Sequence, residues 1–392
     1  MRKQPLLRLL AVLLGFTLLA AACGSDSDDP GTAADNSSDS ADSGDSGDSG
    51  DSGDSGDSSS SDSGDVVDTT QDGSVLAAVI DRGELNCGVS GSAVAFSETQ
   101  ADGSQAGFDA DYCRVVAAAI LGDAEAVNFV ALTAAERFTA VQTGQVDVLM
   151  RNTTWTQSRD SEIGMDFGPT TYYDGQQFMG RAGDGFNAGS DVANLDGLTV
   201  CTNSGTTTEK NVADAADAAG INVTLGGPFE DFDQVTAAYI AGTCDVITTD
   251  GSGLVGRKAV NEPNDWVIFP ATPISKEPLG PTYGQNDSAF ADVVNWSVYA
   301  TVIADEQGVT SANVADMAAN PPTAEIGRLL GGEGELQTGM GIPADGFMQV
   351  ISQVGNYDEI YTRNLGPVGL VREGSANAGW LAGGLIYAPP AR

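Results

Sequence analysis

One short stretch of this 392-residue chain has the pattern of a carboxylate receptor. Thr206-Thr207-Thr208-Glu209 follows an apolar run at 198–202 and a Ser204-Gly205 turn. Thr206 and Glu209 have capping-box spacing, so a helix should begin there. The first N–H groups of such a helix, that of Thr207 among them, have no intrahelical acceptor and sit at the positive end of the helix dipole. Both features suit an anion. Arg159 could offer a bidentate fork to the same carboxylate, and Asp250 could accept from an ammonium group. Singly these residues read as a cap, a surface arginine and a turn aspartate. Together they carry the complementary charges that a zwitterion needs.

Composition removes most competing chemistry. The chain has no histidine, which excludes Ser-His-Asp and Cys-His triads, the H-E-x-x-H zinc site and an imidazole switch. A net charge of −38 excludes a nucleic-acid binder, which must neutralise phosphates with Lys and Arg. It also argues against docking on anionic lipid through a basic surface. No cofactor is expected. No metal site is expected either, because the cysteines are widely spaced and no Cys-x-x-Cys occurs.

The elements that must position these groups begin after residue 72. Residues 1–22 read as a secretory signal: Arg2, Lys3 and Arg8, then an apolar run, then Ala20-Ala21-Ala22. Cys23 directly follows and suggests a lipobox, although Ala20 stands where leucine is usual. Residues 23–72 then carry fifteen Asp, no Lys or Arg, and five D-S-G triplets from Asp42 to Gly56. Such a segment cannot bury enough apolar surface to offset chain entropy, and it reads as a disordered, solvated tether. A calcium-binding repeat would need a periodic apolar residue that D-S-G lacks.

Residues 73–392 keep a charge of −26 but are otherwise ordinary globular material. Periodicity predicts a helix at 75–82, a strand at 85–90, and a helix at 111–121 with Tyr112, Val115, Val116 and Ala119 on one face. A helix at 136–143 ends at Gly144, and a buried strand follows at 146–150. This alternation predicts an α/β fold with mainly parallel sheets. An internal echo joins Phe138-Thr-Ala-Val-Gln-Thr-Gly144-Gln-Val-Asp147-Val148 to Val235-Thr-Ala-Ala-Tyr-Ile-Ala-Gly242-Thr-Cys-Asp245-Val246. Each is a helix, a glycine stop and a strand leading to a polar tip. The echo suggests two similar lobes whose strand ends face a shared cleft. Of the five cysteines, Cys23 is the expected lipid acceptor. The other four allow three pairings, and one bridge per lobe, Cys87–Cys113 and Cys201–Cys244, is the simplest.

The runs Gly107-Phe-Asp-Ala-Asp111, Arg151-Asn-Thr-Thr-Trp-Thr-Gln-Ser-Arg159 and Ser204-Gly-Thr-Thr-Thr-Glu209, together with Asp250, resemble the extracytoplasmic polar amino-acid-binding proteins of ABC transporters. The general L-amino-acid-binding branch is the most similar. The resemblance continues through Asn295-Trp296, Val354-Gly-Asn-Tyr357 and Tyr387-Ala-Pro-Pro390, and so covers about residues 80–392. It implies a two-lobed periplasmic-binding-protein clamshell (type II), with ligand in the interlobe cleft. Lobe one would span 73–177, lobe two 178–270, and 271–392 would return to lobe one with a C-terminal extension. The chain would cross near 170–178 and 270–275, and a helix at 289–305 would belong to the return.

By residue match, Arg159 would bind the α-carboxylate of a free L-amino acid, with Thr206 and the Thr207 N–H and hydroxyl. Asp250 would take the α-ammonium, Asn152 and Thr154 would add contacts, and Ser90 and Phe96 would line the first strand-to-helix loop. Ala93 stands where several cationic amino-acid binders place an aromatic ring, and Ser90 where some have an acid, which implies broad specificity. The implied partner is an ABC permease, and the implied membrane attachment is the lipid on Cys23. Two other classes share the clamshell. A cyclohexadienyl or arogenate dehydratase-like enzyme would use Asp250 or Glu136 as acid or base. A ligand-sensing module of a membrane kinase would need a further membrane span, and none follows residue 23 in this sequence.

Overall fold

The computed structural model describes residues 74–261, 265–332 and 334–392. The expected signal segment, Cys23 and the Asp/Ser/Gly tether lie outside them. Two five-stranded sheets organise the described residues. The first has the spatial order 127–131, 85–89, 148–149, 282–284, 165–167, and the second 224–226, 199–201, 246–250, 176–181, 266–269. In the first, Leu85–Val89 pairs in parallel with Val127–Ala131 and with Val148–Leu149. In the second, Thr199–Cys201 pairs in parallel with Thr224–Gly226 and with Val246–Asp250. Helices cross between these parallel strands, as the alternating pattern predicts. The sheets are mixed rather than mainly parallel, however: Thr282–Gly284 pairs antiparallel with Val148–Leu149 and Met165–Phe167, and Gln176–Arg181 pairs antiparallel with Val246–Asp250 and Trp266–Phe269.

Side-chain alternation fixes the two faces of each sheet. Val148 joins the large core beneath the first sheet, while its neighbour Leu149 joins the smaller cluster of Leu132, Val141 and Met165 on the other side. Val200 and Val246 face the cluster of Phe178, Phe186 and Phe269, whereas Cys201 and Ile247 face Val235, Tyr239 and Leu254. Disulfides Cys87–Cys113 and Cys201–Cys244 each tie a strand to a later element of the same lobe, the pairing that four thiols made simplest.

Two connections join the sheets. Tyr172–Asp174 leads into Gln176–Arg181, and Trp266–Phe269 leads on to Glu277–Leu279. The two connecting strands, Tyr172–Asp174 and Glu277–Leu279, pair antiparallel, with Asp174 opposite Glu277. After them the chain re-enters the first sheet at Thr282–Gly284 and forms the helix Ser288–Glu306. Helices Gly346–Gln353 and Tyr357–Leu365 pack into the core of the first sheet. Arg363 holds the latter in place, its Nη2 lying 2.5 Å from Asp111 Oδ2.

The helix Val75–Arg82 has the expected bounds, because Ser74 caps it and Gly83 ends it at φ +71°. The next helix runs Phe108–Leu121, three residues earlier than the periodicity implies. Its N-cap is Gly107 at φ +126°, with no side-chain cap bond, so no Ser, Thr, Asp or Asn announces it. The entry is instead held by the preceding loop: Phe108 N donates to Ala95 O (2.9 Å) and Asp109 N to Phe96 O (2.8 Å). A Cβ on Gly107 would lie 2.3 Å from Phe96 O. Gly107→Ala should therefore lose at least about 2 kcal/mol in urea denaturation. Gly103→Ala, at φ +88° but with nothing within 4 Å, should lose only about 1 kcal/mol.

Candidate functional site

The parallel strands of both sheets end at one cavity, enclosing about 710 Å³ of empty space including its open mouth. This is where open α/β sheets bind ligands, beyond the carboxyl ends of their strands. Ser90 to Phe96 follow strand 85–89, Arg151 to Thr154 follow 148–149, Asn203 to Thr208 follow 199–201, and Asp250 to Gly253 end or follow 246–250. All eight binding candidates from the sequence, Ser90, Phe96, Asn152, Thr154, Arg159, Thr206, Thr207 and Asp250, line this cavity. Glu136 does not. It is exposed, and its Oε2 accepts from Thr133 Oγ1 at 2.7 Å.

Each charged group is placed by a local device. Thr156 caps the short helix Gln157–Ser161 and turns Arg159 inward, where it is 6% exposed. Arg159 Nη1 donates to Thr154 O (2.8 Å), and its Cζ lies 5.3 Å from the centre of the Phe138 ring. Asp250, also 6% exposed, is set by the strand register that puts it opposite Gln176. The helix Thr207–Ala219 starts where the sequence predicts. Its N-cap Thr206 Oγ1 accepts from Glu209 N (3.2 Å), but Glu209 Oε2 reaches Gly205 N (2.9 Å) rather than the N–H of Thr206. The Thr207 and Thr208 N–H groups remain at the helix start, facing the cavity end of the dipole.

Desolvation governs the electrostatics. Burial pushes the Asp250 carboxyl well above its usual range, and the nearby Asp174 and Glu277 push it further. Burial lowers Arg159 to about 10, against the opposing pull of Glu277 and Asp250. Among the described residues, neither Arg159 nor Asp250 has an ion-pair partner within 4 Å. Seven buried side-chain nitrogen or oxygen atoms among the described residues lack a hydrogen bond. Four of them belong to the cavity lining: Arg137 Nε, Asn152 Oδ1, Asn203 Oδ1 and Asp250 Oδ1. Such atoms are rare in folded proteins, and their convergence on one cavity marks a place for polar ligand atoms.

Several residues here carry no motif or spacing that marks them as cavity residues in the sequence. Arg137, Arg151 and Arg257 line the cavity with Arg159. Only 14 Lys and Arg occur in 73–392, so four in one cavity is a concentration that spacing does not reveal. Arg151 Nε donates to Leu132 O (2.8 Å), and Arg257 pairs with Asp233 and Ser92 O. The Arg257–Ser92 bond joins the lobes across the cavity mouth, where a Cβ on Gly256 would meet Val94 Cβ at 3.0 Å. Glu277, 2% exposed, gathers donors from both lobes: Thr154 Oγ1 (2.6 Å), Thr207 Oγ1 (3.0 Å), Asn211 Nδ2 (2.9 Å) and Ser275 Oγ (2.6 Å). The Thr154 and Thr207 hydroxyls, expected to face a ligand, donate to Glu277 instead. Among the described residues no group of three or more Cys, Asp and Glu could hold a metal ion.

Two α/β lobes joined by paired crossing strands, with unpartnered charge buried between them, define a clamshell solute receptor. The chain belongs to the bacterial extracellular solute-binding proteins, family 3, whose family pattern matches residues 85–367. It is 44% identical over 327 residues to the General L-amino acid-binding periplasmic protein AapJ of Rhizobium johnstonii, covering 81% of this chain and 93% of the relative. It is 44% identical over 324 residues to the Glutamate/glutamine/aspartate/asparagine-binding protein BztA of Rhodobacter capsulatus, covering 81% and 94%. A periplasmic binding protein from Brucella ovis, solved with glutathione bound, superposes with a TM-score of 0.77 at 44% identity. That match covers 81% of this chain and 99% of that one.

A buried carboxylate also shapes the cavity wall. Asn152 sits at φ +31°, and its N–H donates to Asp109 Oδ2 at 2.7 Å. Burial pushes Asp109 up to about 6, against the Asn152 N–H and the Arg151 charge. A raised carboxyl contributes stability that is fully present below its unfolded value near 3.8 and is lost as pH rises through about 6. Asp109→Asn keeps an acceptor for Asn152 and removes the charge. Its stability relative to wild type should rise by roughly 2 kcal/mol between pH 4 and pH 7, by urea denaturation at each pH. A difference that does not change with pH would show that Asp109 is not the group that titrates.

Proposed function

We propose that the protein binds free L-amino acids in this cavity and delivers them to an ABC permease, without turning them over. The observation that carries the reading is the burial of Arg159 and Asp250 in one cavity, with no ion pair to either among the described residues. The α-carboxylate would lie on the Arg159 guanidinium and the Thr207 and Thr208 N–H groups, and the α-ammonium on Asp250 Oδ1. Asn152 Oδ1 and Asn203 Oδ1 would accept remaining donors, and Ser90, Thr154, Thr206 and Phe96 would shape the walls. Contacts from both lobes exist together only when the lobes meet, so a ligand stabilises the closed form by its differential affinity. Water exclusion strengthens both ion pairs. The relatives named above are described as binding proteins, which favours this over a dehydratase-like use of Asp250.

The receptor would work outside the cytoplasm, tethered by residues 23–72 to a lipid on Cys23. The lobes would span 73–177, 178–270 and 271–392, with the crossing at the strand Gln176–Arg181, whose first two residues already pair in the second sheet. A γ-glutamyl peptide is a second reading. The Brucella ovis relative holds glutathione, whose γ-glutamyl end carries the same α-carboxylate and α-ammonium.

Calorimetric titration of the purified protein with the twenty amino acids and glutathione tests both readings. Binding to several amino acids, weakened at least about 100-fold by Arg159→Ala, is the expected result. Binding to none would overturn the proposal, and new products in an NMR spectrum of the ligand would favour the enzyme. The raised Asp250 adds a signature. An ammonium docking on it lowers its pKa, so binding below that raised value should release a proton and weaken as pH falls. Titrations in buffers of differing ionisation enthalpy should show the release in wild type and not in Asp250→Asn.

A further inference from the structure

The amino-acid reading uses one cation and one anion of the cavity and leaves Arg137 unexplained. Arg137 opens the helix Arg137–Gln142 and is 3% exposed. Of the four arginines lining the cavity, Arg151, Arg159 and Arg257 each donate to a protein oxygen. Arg137 has no hydrogen-bond acceptor and no carboxylate within 4 Å among the described residues, and its buried Nε is one of the unpartnered atoms. Its Cζ lies 4.8 Å from the centre of the Phe138 ring, the same ring that carries Arg159. Burial, and then the like charges of Arg159 and Arg151, oppose its ionisation, with Asp250 pulling the other way.

A desolvated guanidinium packed beside two others is costly unless an anion meets it. The α-carboxylate already has Arg159 and the helix start, and the α-ammonium has Asp250. What remains for Arg137 is a second anion on the same ligand. We propose that Arg137 binds a side-chain carboxylate, so that the cavity prefers acidic amino acids, the glutamate and aspartate class, over their neutral amides. This rests on the amino-acid reading above and sharpens it. A cationic side chain would be repelled by the Arg137, Arg151 and Arg159 group, and a neutral one would leave Arg137 unpaired. The bidentate geometry of guanidinium and carboxylate makes the preference one of charge and shape together.

Glutamate and glutamine are nearly isosteric and differ in that charge, so their affinity ratio is the readout. Calorimetry on the wild-type protein should give glutamate at least about 10-fold tighter than glutamine, and likewise aspartate over asparagine. Arg137→Gln should collapse the glutamate-to-glutamine ratio to within about 3-fold, and Arg137→Lys should keep part of it. A wild-type ratio near one overturns the proposal while leaving amino-acid binding intact, and so does a ratio that Arg137→Gln leaves unchanged. Failure of the wild type to bind any of the four overturns this proposal, and the amino-acid reading falls with it only when the other sixteen amino acids also fail to bind. Should Arg137→Gln not fold, the wild-type ratio and Arg137→Lys still decide.

Discussion

The constraint on which the structure turns is that Arg159 and Asp250 are buried in one cavity but held out of reach of each other. Oppositely charged groups sharing a dry space would ordinarily collapse into an ion pair. Here each is restrained from its own side. Arg159 is bonded to Thr154 O and lies against Phe138, while Asp250 is pinned by the pairing of its strand with Gln176. Burial then penalises both charges, as the downward displacement of one and the upward displacement of the other record. On the proposed reading, the two lobes keep a gap of opposite charges open for a ligand that carries both.

Glu277 links that gap to the hinge. It lies on a connecting strand opposite Asp174 and accepts from Thr154 on one lobe and from Thr207 and Asn211 on the other. One buried carboxylate thereby sets the relative position of the loop before Arg159 and the helix that begins at Thr207. Four donors satisfy it, which is the condition for a buried charge to organise rather than disrupt. Asp174, its neighbour across the pair, is pushed up to about 6 by burial, with the Ser252 hydroxyl and N–H and the Gly175 N–H opposing and Glu277 adding to the rise. Charge at the hinge and charge at the ligand site therefore belong to one network.

Much of this was legible in the sequence because the signals were local. Ser74 and Gly83 bound the first helix, Thr206 and Glu209 mark the start of the second lobe's first helix, and the echo of 138–148 in 235–246 reveals two matching units. The eight residues matched to the binding motifs all reach one cavity. Other features depend on partners remote in the chain. Glu277 reads as a charge between Lys276 and Pro278, and its donors lie 2, 66, 70 and 123 residues away. Arg137 follows Glu136 at a helix start with no local signal to mark it, and only the convergence of the loops buries it. The start of the helix at Phe108 was hidden because its cap is a glycine held by the backbone of Ala95 and Phe96.

The separation of Arg159 from Asp250 is put to its sharpest test by a crystal structure of the protein with an L-amino acid bound. It predicts the ligand carboxylate within hydrogen-bonding distance of the Arg159 guanidinium and the helix start at Thr207, with its ammonium on Asp250. A ligand bound elsewhere, or one in the cavity whose ammonium does not meet Asp250 while Arg159 stays unpaired, would contradict it.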